Sequence, residues 1–324
     1  MADGSMPLAG AGTASVGRVA ADALRWQRNL ALLIVVTPML GVLGAGYLAY
    51  TSGVSIIDIA LLLVMYVASV IGVEAGFHRH FTHRAFAAHP TVRALLAILG
   101  STAAQGPVLF WAAMHREHHA HSDRPGDPHS PRASSEGVMA AMRGLCHAHV
   151  LWLFKPLPQD FAARVPDLLR DGFVFRLHRN YPWWVILGLV LPALLGGLLT
   201  QSWRGALSGF LWGGLVRVFL VHHATWSVNS LCHSFGSRPF NTGDRSTNNP
   251  LLVLSSLGGC WHNNHHAFPT LARLDFRWWQ LDICGWFIRL LQIAGLAWNV
   301  RVVDKRTLGL RATTDATKRQ GESP

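Results

Sequence analysis

The chain has 324 residues, half of them apolar and only 14% charged, with a formal net charge of +11. The charged fraction lies well below the roughly one quarter usual for soluble domains, which points to a membrane protein rather than two soluble units. No basic helix, RNA-binding signature or zinc-finger spacing accompanies the charge, which excludes nucleic acid and assigns the excess to anionic lipid or an acidic protein partner.

In chain order, residues 1–28 are Ala/Gly/Ser-rich and read as a flexible cytoplasmic lead-in, with Arg18, Arg25 and Arg28 toward its end. It is not a signal peptide, because the apolar stretch begins too late and runs too long. Residues 29–304 read as one membrane domain, with spans expected at about 30–50, 54–77, 183–200 and 205–223. Thr51-Ser52-Gly53 separates the first two spans, and the second runs straight into His78. Pro90 to Phe110 is apolar but interrupted by Arg93, Gly100, Gln105 and Pro107, so it reads as one interfacial or protein-covered helix. Ser122 to Pro128 is turn chemistry. Trp183-Trp184 head the third span as an aromatic belt, and Gln201 to Arg204 form a tight outer loop. The fourth span continues past the boundary toward Asn229 and His233. Trp278 to Leu296 reads as an amphipathic interfacial helix, and 305–324 as a polar, disordered tail. Between them the two outer loops hold only Arg204, so the positive-inside rule places the N-terminal segment, the middle section and the C-terminal part in the cytoplasm.

Four histidine-bearing pieces fall on that same side. They are His78-Arg79-His80-Phe81-Thr82-His83, His115-Arg116-Glu117-His118-His119, Asn229 with His233, and His262-Asn263-Asn264-His265-His266. Residues three and four apart share a helix face, so each H-x2-H-H trio is expected to aim at one spot, and Asn229 to join His233. His78 and His83 are five apart and converge only if one lies at a helix end. Nine imidazoles and one amide exceed what one metal takes and suit two. A structural zinc needs only four ligands, usually with cysteine among them, and Cys146, Cys232, Cys260 and Cys284 form no CxxC pair.

Glu74 either orients a ligating histidine or is a snorkelling interfacial carboxylate. Asp123 and Asp127 either orient imidazoles or serve the turn. His121, His129, His147 and His149 read as structural, and His222 and His223 as neighbours of the site or structural. An all-histidine dinuclear site at a membrane surface suggests iron and oxygen chemistry, because zinc has no redox function and imidazole suits iron, although the Glu and Glu-x-x-His ligands of soluble di-iron bundles are not offered near the clusters.

These residues carry a resemblance. His78–His83 with the following Arg84, His115–His119, Asn229-Ser230-x2-His233 and Trp261 through Pro269 resemble the membrane fatty-acid desaturases of the stearoyl-CoA desaturase type, in a bacterial-like form, over roughly residues 30 to 300. The resemblance implies an all-α integral membrane protein, with four transmembrane helices and a cytoplasmic helical cap over the metals. It implies two iron ions held by His78, His83, His115, His118, His119, His233, His262, His265 and His266, with Asn229 reaching one iron through water. The implied reaction is O2-dependent, cis, delta-9-type desaturation of a long-chain fatty acyl thioester, with an acyl hydroxylase or acetylenase as the alternative. The implied substrate carriers are CoA, acyl carrier protein or an acyl lipid. The electron donor would be a separate ferredoxin- or cytochrome b5-like protein, and the location a bacterial inner membrane with the site on its cytoplasmic face. Gln105, Trp111 and Thr225 stand where the family bends the acyl tunnel, and Tyr66 where a bulky residue closes it. The chain departs from the pattern at Gly259, where an acid is usual, at Cys260, and at Ala113-Met114, which replace an Arg-Asp pair beside CoA.

Overall fold

Four apolar helices long enough to cross a membrane organise the described residues: Ala21–Ser52, Ile56–Thr82, Tyr181–Thr200 and Trp203–Leu231. The structure is a computed structural model that describes residues 10–131, 137–157, 160–304, 306–309 and 311. Leu43, Tyr47, Val64 and Leu198 are each more than 60% exposed on these helices, an apolar surface that a bilayer interior would cover favourably.

Helix α1 runs Gly10–Ser52. The expected flexible lead-in is therefore helical from Gly10 onward, while residues 1–9 lie outside the described residues. No proline stands between Pro7 and Pro38, and an alanine-rich stretch extends a helix already nucleated by the apolar span at one bond per residue. Gly53 turns the chain with φ +78. Ser55 and Asp58 then form a reciprocal capping box at the start of α2 (Ile56–Ile71).

The second span does not stay α-helical. It continues as a π-helix, π1 (Gly72–Thr82), whose Gly72 meets α3 (Pro90–Thr102) backbone to backbone. A Cβ on Gly72 would lie 2.1 Å from the Gly100 nitrogen, so only glycine permits this approach. The stretch expected as one helix, Pro90 to Phe110, is two. Ala104 (φ +56) and Gly106 (φ +96) turn the chain, and Pro107 precedes α4 (Val108–His121). Pro107 supplies no N–H and restricts Gly106, so a helix cannot run through this pair.

Short helices α5 (Val138–His149), α6 (Phe161–Arg164), α7 (Pro166–Leu169) and α8 (Gly172–Arg179) lead to the third span, α9 (Tyr181–Thr200). Gln201 (φ +50) reverses the chain into α10 (Trp203–Gly209), a second π-helix π2 (Phe210–Val216) and α11 (Arg217–Leu231). Small α12 (Val253–Ser256) and α13 (His262–Ala267) follow. Helix α14 (Ile283–Ile293) is shorter than the expected 278–296, because Asp282 caps its N-terminus by accepting from the Gly285 N–H at 2.9 Å. Strand β1 (Ala87–Ala88) pairs antiparallel with β2 (Ala297–Trp298), tying the segment after the first histidines to the last elements of the cap. Of the expected disordered tail, residues 306–309 form a helical turn, and all but Arg311 of the remainder lies outside the described residues.

Candidate metal centre

The π-helix resolves the five-residue spacing. The His83 N–H donates to the His78 carbonyl at 3.1 Å, the i to i+5 bond of a π-turn, and the two rings meet edge to face at 5.0 Å. His83 stands just past Thr82 as the C-cap of π1, so the pair converges with one member at a helix end, as its spacing requires.

Nine histidines gather into two adjoining groups. His78, His83, His115, His119 and His265 form one, and His118, His233, His262 and His266 the other, with the candidate ligand atoms of each group all within 4.8 Å of one another. The expectation that each H-x2-H-H trio converges on one spot is thereby corrected. Helix α4 sends His115 and His119 to the five-membered group and His118 to the four-membered one. Helix α13 does the reverse: His262 and His266 join the four-membered group and His265 the five-membered one. Consecutive α-helical residues stand about 100° apart around the axis, so adjacent members such as 118 and 119 diverge while i and i+4 align. His233, just beyond α11, completes the four-membered group. Asn229 stands half-buried on the last turn of α11, four residues before it.

Carboxylates set the rings. His78 Nδ1 donates to Glu74 Oε2 at 3.0 Å, His118 Nδ1 to Asp127 at 3.0 Å, His233 Nδ1 to Asp123 Oδ2 at 2.8 Å and His266 Nδ1 to Asp244 Oδ2 at 2.6 Å. A hydrogen on Nδ1 leaves Nε2 as a bare lone pair. Those lone pairs face inward: His78 Nε2 lies 3.0 Å from His265 Nε2, and His233 Nε2 lies 3.0 Å from His262 Nε2. Among the described residues, the buried Nε2 atoms of His83, His118 and His266 have no hydrogen-bond partner. Converging, unpartnered imidazole nitrogens are costly without a cation and suited to one, so this donor set fits metal ions.

The electrostatics agree. Burial, reinforced by neighbouring imidazoles, holds His83, His115, His119, His262, His265 and His266 well below the ordinary histidine range. They are neutral, the form that binds metal. Burial opposes ionisation of Asp127 and Asp123, yet His118 and His233 respectively hold both carboxyls below the usual carboxylate range.

Residues between the histidines build the frame. Arg79 reaches both Asp282 oxygens at 2.8 Å, tying π1 to the cap of α14. Arg116 donates to the Phe81 and Thr82 carbonyls and to Asp167, clamping the end of π1 to α4. Asn263 holds Phe240 and Ser246, and Asn264 holds Leu274. Two residues escaped the sequence reading. His129, read there as structural, is buried with its ring 4.5 Å from that of His118, and burial pushes it down to about 3. Its position next to Asp127 in the turn was the available signal. Asp244 lies 22 residues before His266 on an irregular loop, and nothing in the sequence singles it out. His149 and His223, by contrast, pair with each other at 2.9 Å outside both groups.

Gln105, Trp111 and Thr225 form a hydrogen-bonded chain, with Gln105 Nε2 donating to Thr225 Oγ1 at 2.9 Å and Trp111 Nε1 to Gln105 Oε1 at 3.3 Å. The Trp111 ring stacks on His115 at 5.0 Å. Tyr66 donates its hydroxyl to the Ser255 carbonyl at 2.6 Å and borders a largely apolar cavity of about 340 Å³ with Leu62, Ala224 and Ser227.

The sequence model described as fatty acid desaturase matches residues 56–290. The chain is 44% identical over 276 residues to a hex-5-enoyl-[acyl-carrier protein] acetylenase of Moorena producens, covering 84% of this chain and 85% of that protein. It is 35% identical over 247 residues to an sn-1 stearoyl-lipid 9-desaturase of Anabaena variabilis, covering 76% and 84%. It is 35% identical over 252 residues to an acyl-CoA C20 Delta5-desaturase of Anemone leveillei, covering 76% and 75%.

Proposed function

This chain belongs to the fatty acid desaturase family, and from that premise we propose that it uses a di-iron centre and O2 to remove two hydrogens from the acyl chain of a thioester. The chain is an oxidoreductase of the desaturase type. The observation that carries the finer reading is the pair of adjoining histidine groups with their inward lone pairs. One iron would be held by His78, His83, His115, His119 and His265. The other would be held by His118, His233, His262 and His266, with Asn229 reaching it through water. Bound there, iron supplies a redox couple that zinc does not. A –CH2–CH2– unit becomes –CH=CH–, and its two hydrogens, with two electrons from a donor protein and two protons from water, reduce O2 to two waters.

The protein's own residues orient the reactants. Glu74, Asp123, Asp127 and Asp244 hold imidazole rings, and the cap excludes water around them. Trp111, Gln105 and Thr225 bend the acyl chain beside the five-membered group, which selects the bond and the cis product by geometry. Tyr66 closes the far end of the tunnel. The substrate is a long-chain acyl thioester, desaturated at a delta-9-type position. The relatives support a thioester on acyl carrier protein or CoA, since one is named for the first and another for the second. A ferredoxin- or cytochrome b5-like protein delivers electrons at the cytoplasmic face of a bacterial inner membrane. The similarity to the Moorena relative favours a second reading, in which a substrate that already has a double bond loses two further hydrogens and becomes an acetylene.

Cells expressing the chain, fed saturated and monounsaturated acids, test both readings by mass spectrometry of located unsaturation. A new cis double bond supports the first, and a new triple bond the second. No new unsaturation in cells whose purified protein carries iron overturns both.

A further inference from the structure

The two histidine groups are braced unequally, and the weaker brace depends on a glycine. Glu74 lies within π1, four residues before His78, and is only 8% exposed. Its carboxylate is the acceptor for His78 Nδ1 at 3.0 Å. Among the described residues it is the one carboxylate bonded to an imidazole of the five-membered group. Across from it, Gly259 lies in the turn before α13. Gly258 has a φ of +111 and needs to be glycine for its backbone, but Gly259 is not in the left-handed region. Its lack of a side chain therefore serves space. A Cβ on Gly259 would stand 2.7 Å from Glu74 Oε1, 2.9 Å from its carboxyl carbon and 3.1 Å from Oε2. All three nearest atoms belong to that one carboxyl group, so a side chain growing from 259 points at the volume that Glu74 fills.

We propose that Glu74 is the positioning residue for His78, that it fits because Gly259 leaves its carboxylate room, and that a carboxylate carried by position 259 can replace it. The proposal rests on the reading of the two groups as metal sites. With Nδ1–H held by the carboxylate, His78 presents a lone pair at Nε2 toward His265 and the rest of its group. Without it, the buried Nδ1–H is stranded or the proton moves to Nε2, where it blocks ligation. Loss of an outer partner of this kind weakens metal binding about ten- to hundred-fold. Gly259→Glu alone should do similar harm, because two carboxylates then compete for one volume. Glu74→Ala together with Gly259→Glu should restore the brace from the opposite side.

The test is zinc retention. Protein purified in detergent is loaded with Zn2+ and titrated with EDTA, metal per chain is measured, and a melting curve checks folding. Wild type should hold two ions. Glu74→Ala and Gly259→Glu should each release one at an EDTA level where wild type keeps both, and the double variant should recover it. Should Glu74→Ala fail to fold, Glu74→Gln keeps the shape without the charge and is expected to release one ion earlier than wild type. Retention equal to wild type in the folded single variant overturns the proposal, as does a double variant no tighter than Glu74→Ala. Wild type that holds fewer than two ions breaks the metal reading itself and this proposal with it. Two ions in wild type with unchanged variants breaks the proposal alone.

Discussion

The four-membered and five-membered histidine groups adjoin, yet they are built on different principles. Three of the four imidazoles in the first are held by carboxylates, Asp127, Asp123 and Asp244, all on loops. Those carboxylates are held in turn: Asp123 accepts from the Arg245 N–H and the Ser130 hydroxyl, and Asp244 from Ser246. In the second group His78 lies on π1 and His83 caps its end, at the end of a membrane span, and helical geometry, with the single carboxylate of Glu74, does what three carboxylates do in the first. Loops aim side chains through hydrogen bonds. A helix end packed on glycines aims them through its winding.

The largest effects should come from the ligands. Changing His118 to Ala should abolish turnover, a loss of more than about a hundredfold, and remove one metal; His83→Ala should do the same through the other group. Each variant should keep one of the two ions, measurable by elemental analysis. Loss of both ions from either variant would mean that the two groups form one cooperative unit.

Next in size is the contribution of the loop carboxylates. Asp127→Ala should weaken the four-membered group by about ten- to hundredfold, read as chelator competition, and leave the five-membered group nearly untouched. A graded chelation of wild type sharpens the comparison further: the five-membered group, with one carboxylate brace, should empty first. Zinc spectroscopy on His83→Ala and His118→Ala identifies which ion leaves at which step.

Smaller changes follow at the tunnel. Tyr66→Ala should admit longer acyl chains. Each buried methylene is worth about 0.8 kcal/mol, or about fourfold in preference, and the double-bond position counted from the carboxyl end should not move. Competition between two chain lengths, scored by product, checks this, and a shifted double bond with unchanged length preference would reverse the assigned tunnel direction.

The smallest effect belongs to Asp167. Burial opposes its ionisation, but Arg116 and Arg84 hold its carboxyl down to about 2. A depressed carboxyl stabilises the fold above its unfolded value near 3.8 and ceases to do so as pH falls through about 2. The partly exposed site keeps the effect small. Asp167→Asn should lower the melting temperature by a few degrees at pH 7 and by less at pH 2; an equal loss at both would remove the charge from the explanation.

Much of this architecture was legible in the residues. Four apolar stretches, and eight histidines in three boxes with His233 as the ninth, are patterns of composition and spacing, and these are local. Glu74, Asp123 and Asp127 were visible as candidates because they lie near the histidines in the chain. Asp244 was not, since it stands on an irregular loop away from any histidine box, 22 residues before its partner His266. The helix over Gly10–Arg28 was missed because glycine and alanine there look loose until an adjoining span nucleates them.

What the sequence determined by itself was the inventory: which side chains are available, how many, and on which periodic faces. Tertiary structure decided how that inventory is divided. A spacing of five is ambiguous until close packing of Gly72 against Gly100 lets the span wind as a π-helix and brings His78 to His83. An H-x2-H-H trio spans too wide an arc of a helix to serve one point. Only the facing of α4 against α13 sends one histidine of each trio across to the other group. Spacing along a chain sets directions around one axis, and a shared centre needs the relative placement of two.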